Sequence, residues 1–289
     1  MLKLFGDTDM DVTPEIAKRY NAGLISMPYS IGEDTIYPYE DFEVFESKEF
    51  YDQLRGGLMP TTCAVNPEKY REIFEAEFSA GNDILYVHFS AAMSSTFDFM
   101  TTVVDELLQK YPERRFYALD TRGISIASLA VFEHVGEMLK EGKSVEEILD
   151  WAKEGIYHWA TYYFAEDLNF FKRSGRVSGL AASMGTLIGV RPIIFMDADG
   201  KMKTIGKERG RVKAVDRVMK YVDELGDDVA AHRIYIAHCD APESAAMFKA
   251  RLIERFGEDI DLYITPLNPT AGCHCGPSSI GVCFHAIHR

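Results

Sequence analysis

Positive charge is scarce in this 289-residue chain: 31 Lys and Arg stand against 45 Asp and Glu, for a net charge of −14. That balance excludes nucleic-acid binding, which needs basic groups to displace counterions, and it disfavours adsorption to an anionic membrane. The plain reading of the acidity is solubility. Long apolar runs are missing too. The least polar stretch, Val177 to Met196, is interrupted by Arg191, Pro192 and several small residues, so no stable membrane insertion is expected. Met1–Phe5 passes directly into Gly6-Asp7-Thr8-Asp9 and is too short for a secretory leader. Cysteine is sparse and odd in number, five in all with three inside Cys273–Cys283, which is not a secreted disulfide framework. A reducing cytoplasm is the expected location. Internal repeats, low-complexity tracts and long linkers are absent.

What is present is an alternation of short β-like runs with helical segments, the pattern of an α/β protein. Leu2–Phe5 reads as a strand ending at Asp7, and Thr13-Pro14 as the cap and first position of a helix. Pro67–Phe78 and Ser95–Lys110 read as helices around a buried strand, Ile84–Phe89. Gly123–Gly142 is helical, and Ser144 with Glu147 forms a capping box for the next helix. Past Ala160 the elements shorten. Leu180–Gly189 reads as a small-residue helix, Asp199-Gly200 as the turn of a hairpin, and Ile234–His238 and Ile280–His285 as strands. The pattern predicts two domains, residues 1–160 and 161–289, divided to within about ten residues.

The densest chemistry lies in Thr270-Ala271-Gly272-Cys273-His274-Cys275-Gly276-Pro277, read as a glycine-flanked loop that presents His274. Two hydroxyl clusters accompany it, Thr61-Thr62 and Ser94-Ser95-Thr96, each ahead of a helix. A helix N-terminus favours an anion, and hydroxyls there donate to a carboxylate or phosphate; the plainer role is capping. Arg176, between two short helices, suits an anion or an ion pair. Asp7 and Asp11, after the first strand, read as loop-closing residues.

Two rival chemistries are considered. An esterase or acyl-transfer enzyme would use Ser94 or Ser95 with His274, but the chain lacks a G-x-S-x-G elbow. A zinc or redox centre would use Cys273, Cys275 and Cys283, but no Cys-x-x-Cys pair supports it.

The residues resemble, nearly end to end and in order, the motifs of the DegV family of bacterial fatty-acid-binding proteins, which includes the FakB-like subunits of fatty acid kinase. Asp7-Thr8-Asp9-Met10-Asp11 corresponds to the family's D-S-x-x-D, and Thr62-Cys63-Ala64-Val65 stands at T-S-Q-P. Met93-Ser94-Ser95-Thr96-Phe97 is similar to L-S-G-T-Y, and Gly175-Arg176-Val177-Ser178 to G-R-I-S. Gly189-Val190-Arg191-Pro192-Ile193-Ile194 follows as I-K-P-I-L does, and Gly272-Cys273-His274-Cys275-Gly276-Pro277 is similar to G-x-H-x-G-P.

The resemblance implies a two-domain α/β fold, with an N-terminal three-layer α/β/α domain, a smaller C-terminal α/β domain and a lipid between them. It implies that Thr62, Ser94 and His274 hold the lipid carboxylate, that Cys63, Ser95 and Gly276 adjoin it, and that Arg176 lies near the head group or meets a kinase. Cys63 replaces a family serine and Ser95 a family glycine. The implied partners are a long-chain fatty acid and a separate ATP-dependent fatty acid kinase, with no cofactor and no metal. The chain carries no G-x-x-x-x-G-K-[ST] loop of its own, so it is expected to present the lipid and leave catalysis to the kinase.

Overall fold

The computed structural model describes residues 1–178 and 189–289. The strands of the N-terminal half are β1 (Leu2–Asp7), β2 (Gly23–Ile25), β3 (Tyr29–Ile31), β4 (Asp34–Ile36), β5 (Thr61–Thr62), β6 (Asp83–His88) and β7 (Phe116–Asp120). Four of them form a parallel sheet in the order β2-β1-β6-β7, and β4-β3-β5 form a small antiparallel sheet beside it.

Alternation along β1 produces the layering. Phe5 meets Phe74 edge-on, with ring centroids 5.8 Å apart, so its side of the sheet lies under α3 (Pro67–Ser79), which packs on α4 (Thr96–Lys110). Gly6 faces the other way. A Cβ there would come within 2.7 Å of the Phe132 ring on α5 (Ile126–Lys140), so only glycine lets sheet and helix approach so closely.

Every residue of α5 from Ile126 to Glu133 is buried, because this helix is covered on both sides. Its second neighbour is the C-terminal sheet. Glu133, nearly sealed, accepts from Tyr235 Oη at 2.8 Å, from Arg233 at 3.0 Å and from Arg19 at 3.3 Å, which satisfies an otherwise costly buried carboxyl group.

The C-terminal sheet contains β8 (Trp159–Phe164), β9 (Val177–Ser178), β10 (Val190–Met196), β11 (Met202–Arg209), β12 (Ile234–His238), β13 (Leu262–Pro266) and β14 (Ile280–His285), in the order β13-β12-β14-β8-β10-β11-β9. Ile234, Ile236, Val282 and Phe284 share one core with the helices α8 (Arg211–Leu225) and α9 (Pro242–Phe256). The alternating Tyr235, Ala237 and Cys283 join the core of the N-terminal half. The fold is thus the expected two-part α/β arrangement.

The Ser144–Glu147 capping box starts α6 (Val145–Gly155) as anticipated, and β10 and β11 pair around Asp199-Gly200, with Gly200 at φ +74°. The anticipated helix over Leu180–Gly189 falls on residues 180–188, outside the described residues. The segment read as a loop around His274 is instead a short helix, α10 (Pro269–Cys275). Its ends explain it. The Asn268 side chain accepts from the Ala271 N–H, Pro269 takes the first turn, and Gly276 stops the helix at φ +69°. The strand pair β3–β4, strand β5 and helix α2 (Ser47–Arg55) were not anticipated. No helix among the described residues is long and apolar enough to cross a membrane.

Candidate functional site

Three separate elements carry the predicted residues, and two of these residues, Thr62 and His274, are in direct contact. Strand β5 pairs antiparallel with β3, Tyr29 opposite Thr62, and presents Thr62. The turn after β6 presents Ser94 and Ser95. Helix α10 presents His274, and it is held firmly: Thr270 Oγ1 donates to the Met27 carbonyl at 2.7 Å, and Tyr51 Oη donates to the Leu267 carbonyl at 2.9 Å. The outcome is a hydrogen bond of 2.9 Å between Thr62 Oγ1 and His274 Nε2, across 212 residues of sequence.

Thr62 does not cap a helix, as its position ahead of α3 allowed. Asn66 caps α3, and Thr62 lies on the strand. Ser94 does serve the next helix: its Oγ accepts from the Thr96 N–H at 3.3 Å. Ser95 occupies the N-cap position of α4 without a side-chain capping bond.

Thr62, Cys63, Ser94, Ser95 and Arg176 line one open polar cleft. Arg176 is exposed there, and its guanidinium donates to the Ser174 carbonyl at 2.7 Å. Gly276 plays a packing part: a Cβ would come within 2.4 Å of the Phe170 ring.

Behind the cleft, between the two halves, is an apolar space. Ile124 and Ile126 wall it on the α5 side, Tyr163, Ala237 and Gly281 on the sheet side, and His274 and Cys275 from α10. Met93 lines both the cleft and this space.

His274 is half-buried, and its pKa falls to about 4, first through burial and then through the nearby charges of Arg176 and Arg173. At neutral pH it is an uncharged imidazole, with one ring N–H to donate and one nitrogen to accept.

Arg173 is a positioning residue that sequence reasoning passed over in favour of Arg176. It donates to the Pro60 carbonyl at 2.7 Å and to the Cys273 carbonyl at 3.2 Å, so one guanidinium ties the approach to Thr62 to the helix of His274. Its signal was its place beside the Gly175-Arg176 pair, in the last turn of α7 (Leu168–Ser174).

Neither rival chemistry is assembled. A serine hydrolase needs its base on the nucleophile, whereas His274 Nε2 is bonded to Thr62, and neither Ser94 nor Ser95 bonds to it among the described residues. The cysteines do not form a ligand set: the group of His, Cys, Asp or Glu ligand atoms found together among the described residues contains no cysteine. Burial pushes the thiols of Cys239 and Cys283 up to about 12, and those of Cys273 and Cys275 well above the usual range, which opposes the thiolate that a metal or redox role requires.

Asp7 and Asp11 close the loop after β1. Asp7 accepts from the Asp9 and Phe89 N–H groups at 3.0 and 3.2 Å and from Tyr86 Oη at 3.1 Å. Asp11 accepts from Ser125 Oγ, and from the backbone and side-chain nitrogens of Asn268 at 2.9 and 2.8 Å.

A family model described as uncharacterised proteins of the DegV family matches residues 1–286. A DegV domain-containing protein of Clostridium perfringens is 28% identical over 281 residues, which cover 97% of this chain and 96% of that protein. Among solved structures, a DegV family protein from Thermus thermophilus described by its fatty acid binding superposes with a TM-score of 0.85 at 21% identity, covering 99% of both chains. A DegV family protein from Eubacterium eligens loaded with heptadecanoic acid superposes with a TM-score of 0.83 at 18% identity, covering 99% of this chain and all of that one.

Proposed function

The chain belongs to the DegV family, and on that premise we propose that it binds a long-chain fatty acid, with the tail in the apolar space and the carboxylate among Thr62, Ser94 and His274. The observation that carries this reading is the junction itself: an apolar space whose wall includes His274, hydrogen-bonded to a threonine that lines an open polar cleft. Such a site is matched by a ligand that is apolar along its length and anionic at one end.

The two ends contribute differently. A tail of about 16 carbons buries about 15 methylene or methyl groups at ~0.8 kcal/mol each, roughly 12 kcal/mol gross. Association and ordering costs remove several of these. Each hydrogen bond to the charged head adds about 1.5–3 kcal/mol. The tail therefore supplies affinity and the polar trio supplies orientation. Thr62 and Ser94 donate through their hydroxyls, and neutral His274 through one ring N–H, so the carboxylate joins or replaces the Thr62–His274 bond.

In this reading the protein is a carrier that presents the carboxylate to a separate ATP-dependent kinase, and the acyl phosphate product stays bound until it is passed on. Arg176, exposed on the cleft, supports it by offering a cation to the more highly charged product. The chain's net charge of −14 favours a partner with a basic face and an encounter weakened by salt.

The test is native mass spectrometry of the purified protein followed by denaturing lipid extraction. A one-to-one mass increment that resolves into a long-chain fatty acid is expected. An apo mass that does not shift on adding fatty acids overturns the reading. Acyl phosphate formed from ATP by this chain alone would overturn the carrier role.

A further inference from the structure

Away from the cleft, at the far end of the C-terminal sheet, the fold gathers histidines that lipid binding does not use. His158 directly precedes β8 and His285 ends β14; the register places His285 opposite Trp159. Asp227 follows α8 and is tied to the same corner, its N–H donating to the His285 carbonyl at 3.1 Å. One ring nitrogen from each histidine and one carboxylate oxygen of Asp227 lie within 4.8 Å of one another. We propose that His158, His285 and Asp227 form a binding site for a single divalent transition-metal ion of the zinc class.

The second observation is the state of the two rings. His158 Nδ1 lies 2.8 Å from the Ala286 carbonyl, and His285 Nδ1 lies 2.8 Å from the Asp227 carbonyl. A carbonyl only accepts, so each Nδ1 donates its proton there, and Nε2 is the ring nitrogen left for a metal. Donation of one ring N–H to a carbonyl while the other nitrogen stays bare is how metal-binding histidines are oriented. His285 is also held in plane. His232 stacks on it, ring centroids 3.8 Å apart and planes 20° apart, and Trp159 meets it edge-on at 5.5 Å.

The donor set selects the ion. Two imidazoles and one carboxylate suit Zn²⁺, Ni²⁺ or Cu²⁺ and not Mg²⁺ or Ca²⁺, which prefer oxygen. Three protein ligands leave one tetrahedral position for water or an outside group. Ligand atoms on one zinc lie about 2.0–2.2 Å from the ion, so closing the site takes side-chain rotations that carry the Asp227 carboxylate, now 3.8 Å from His285 Nδ1, toward Nε2. Asp227, about half exposed, is free to make the largest one. The site is separate from the lipid cavity: Ile280 lines that cavity, and His285 stands at the other end of the same strand, about 17 Å away.

The experiment is calorimetric titration of the untagged full chain with ZnCl₂, together with X-ray absorption of the zinc-loaded protein. The expected result is one saturable equivalent with nitrogen and oxygen ligands only. His285→Gln should weaken binding beyond the roughly 10–100-fold that follows loss of a ligand's orienting partner. Asp227→Asn, a surface change that should not disturb folding, should weaken it as well. Absence of saturable binding overturns the proposal. So does sulfur in the coordination shell, which would move the ion to a cysteine, or equal affinity in both variants, which would mark the zinc as adventitious. Fatty-acid content, read from the same samples, should not change.

Discussion

Asp11 and His274 lie on touching segments, since Asn268 caps the helix that carries His274 and also donates twice to Asp11. Their surroundings are opposite. Asp11 is buried and both of its oxygens are engaged, one by Asn268 and one by Ser125. Among the described residues His274 has one side-chain partner, Thr62, and it stands where a polar cleft meets an apolar space. Polar groups completed within the chain hold the fold. Those left with spare capacity at a cavity wall remain open to a ligand. The same residue types serve both purposes, and saturation separates them.

The comparison is broken most strongly at Asp11. Asp11→Ala leaves the Ser125 hydroxyl and two Asn268 donors without their acceptor, and urea unfolding should register a loss of about 3 kcal/mol or more. If stability barely moves while lipid content collapses, the aspartate loop belongs to the binding site and the contrast fails.

At His274 the effect should reverse. His274→Ala should lower fatty-acid affinity by about 10–100-fold, the worth of one hydrogen bond to a charged head, with a smaller change in unfolding free energy than at Asp11. Competition against a fluorescent fatty acid reads the first quantity and urea unfolding the second.

The two regions should also respond to pH with opposite sign. Burial raises Asp7 from 3.8 to about 7 and Asp11 to about 6, against the hydrogen bonds they accept. The native chain keeps protons there that the unfolded chain has released, so this contribution is full below pH 3.8 and is lost as pH rises toward 7. His274 is lowered from 6.5 to about 4, so its contribution is full above pH 6.5 and is lost as pH falls toward 4. Urea unfolding across this range should show Asp7→Asn removing part of the falling limb and His274→Gln part of the rising one. An unchanged slope between pH 4 and 6.5 in His274→Gln would contradict the assignment.

The smallest effect is expected at Cys63, which is exposed and whose Sγ lies 3.7 Å from Ser30 Oγ. Cys63→Ser replaces a weak donor with a strong one at the cleft. It should raise fatty-acid affinity by up to about tenfold and leave stability unchanged.

Elements with strong local grammar were legible in the sequence. The Ser144–Glu147 box and the Asp199-Gly200 turn encode their structure within a few residues, and Ile234–His238 is a plain buried strand. Helix α10 was missed because its glycine and two cysteines imitate a loop. The informative signals lay at its ends, Asn268-Pro269 before it and Gly276 after it. The β3–β4 pair is only three residues per strand, too short for a period to emerge. The meeting of Thr62 with His274, and of Thr62 with Ser94 along one cleft, has no local code at all. It depends on strand pairing and on the Arg173 clamp, and only the ordered family motifs pointed to it in advance.

Strand β14 sits between β12 and β8, although it follows both in the chain. During synthesis the ribosome releases β8, β10 and β11, then β12 and β13, as two sheet fragments with no strand to join them. Ile280 and Gly281, which line the cavity, arrive with the joining strand. A nascent chain short of residue 280 therefore lacks part of the cavity wall, and β8 stays an open edge that a chaperone would have to shield.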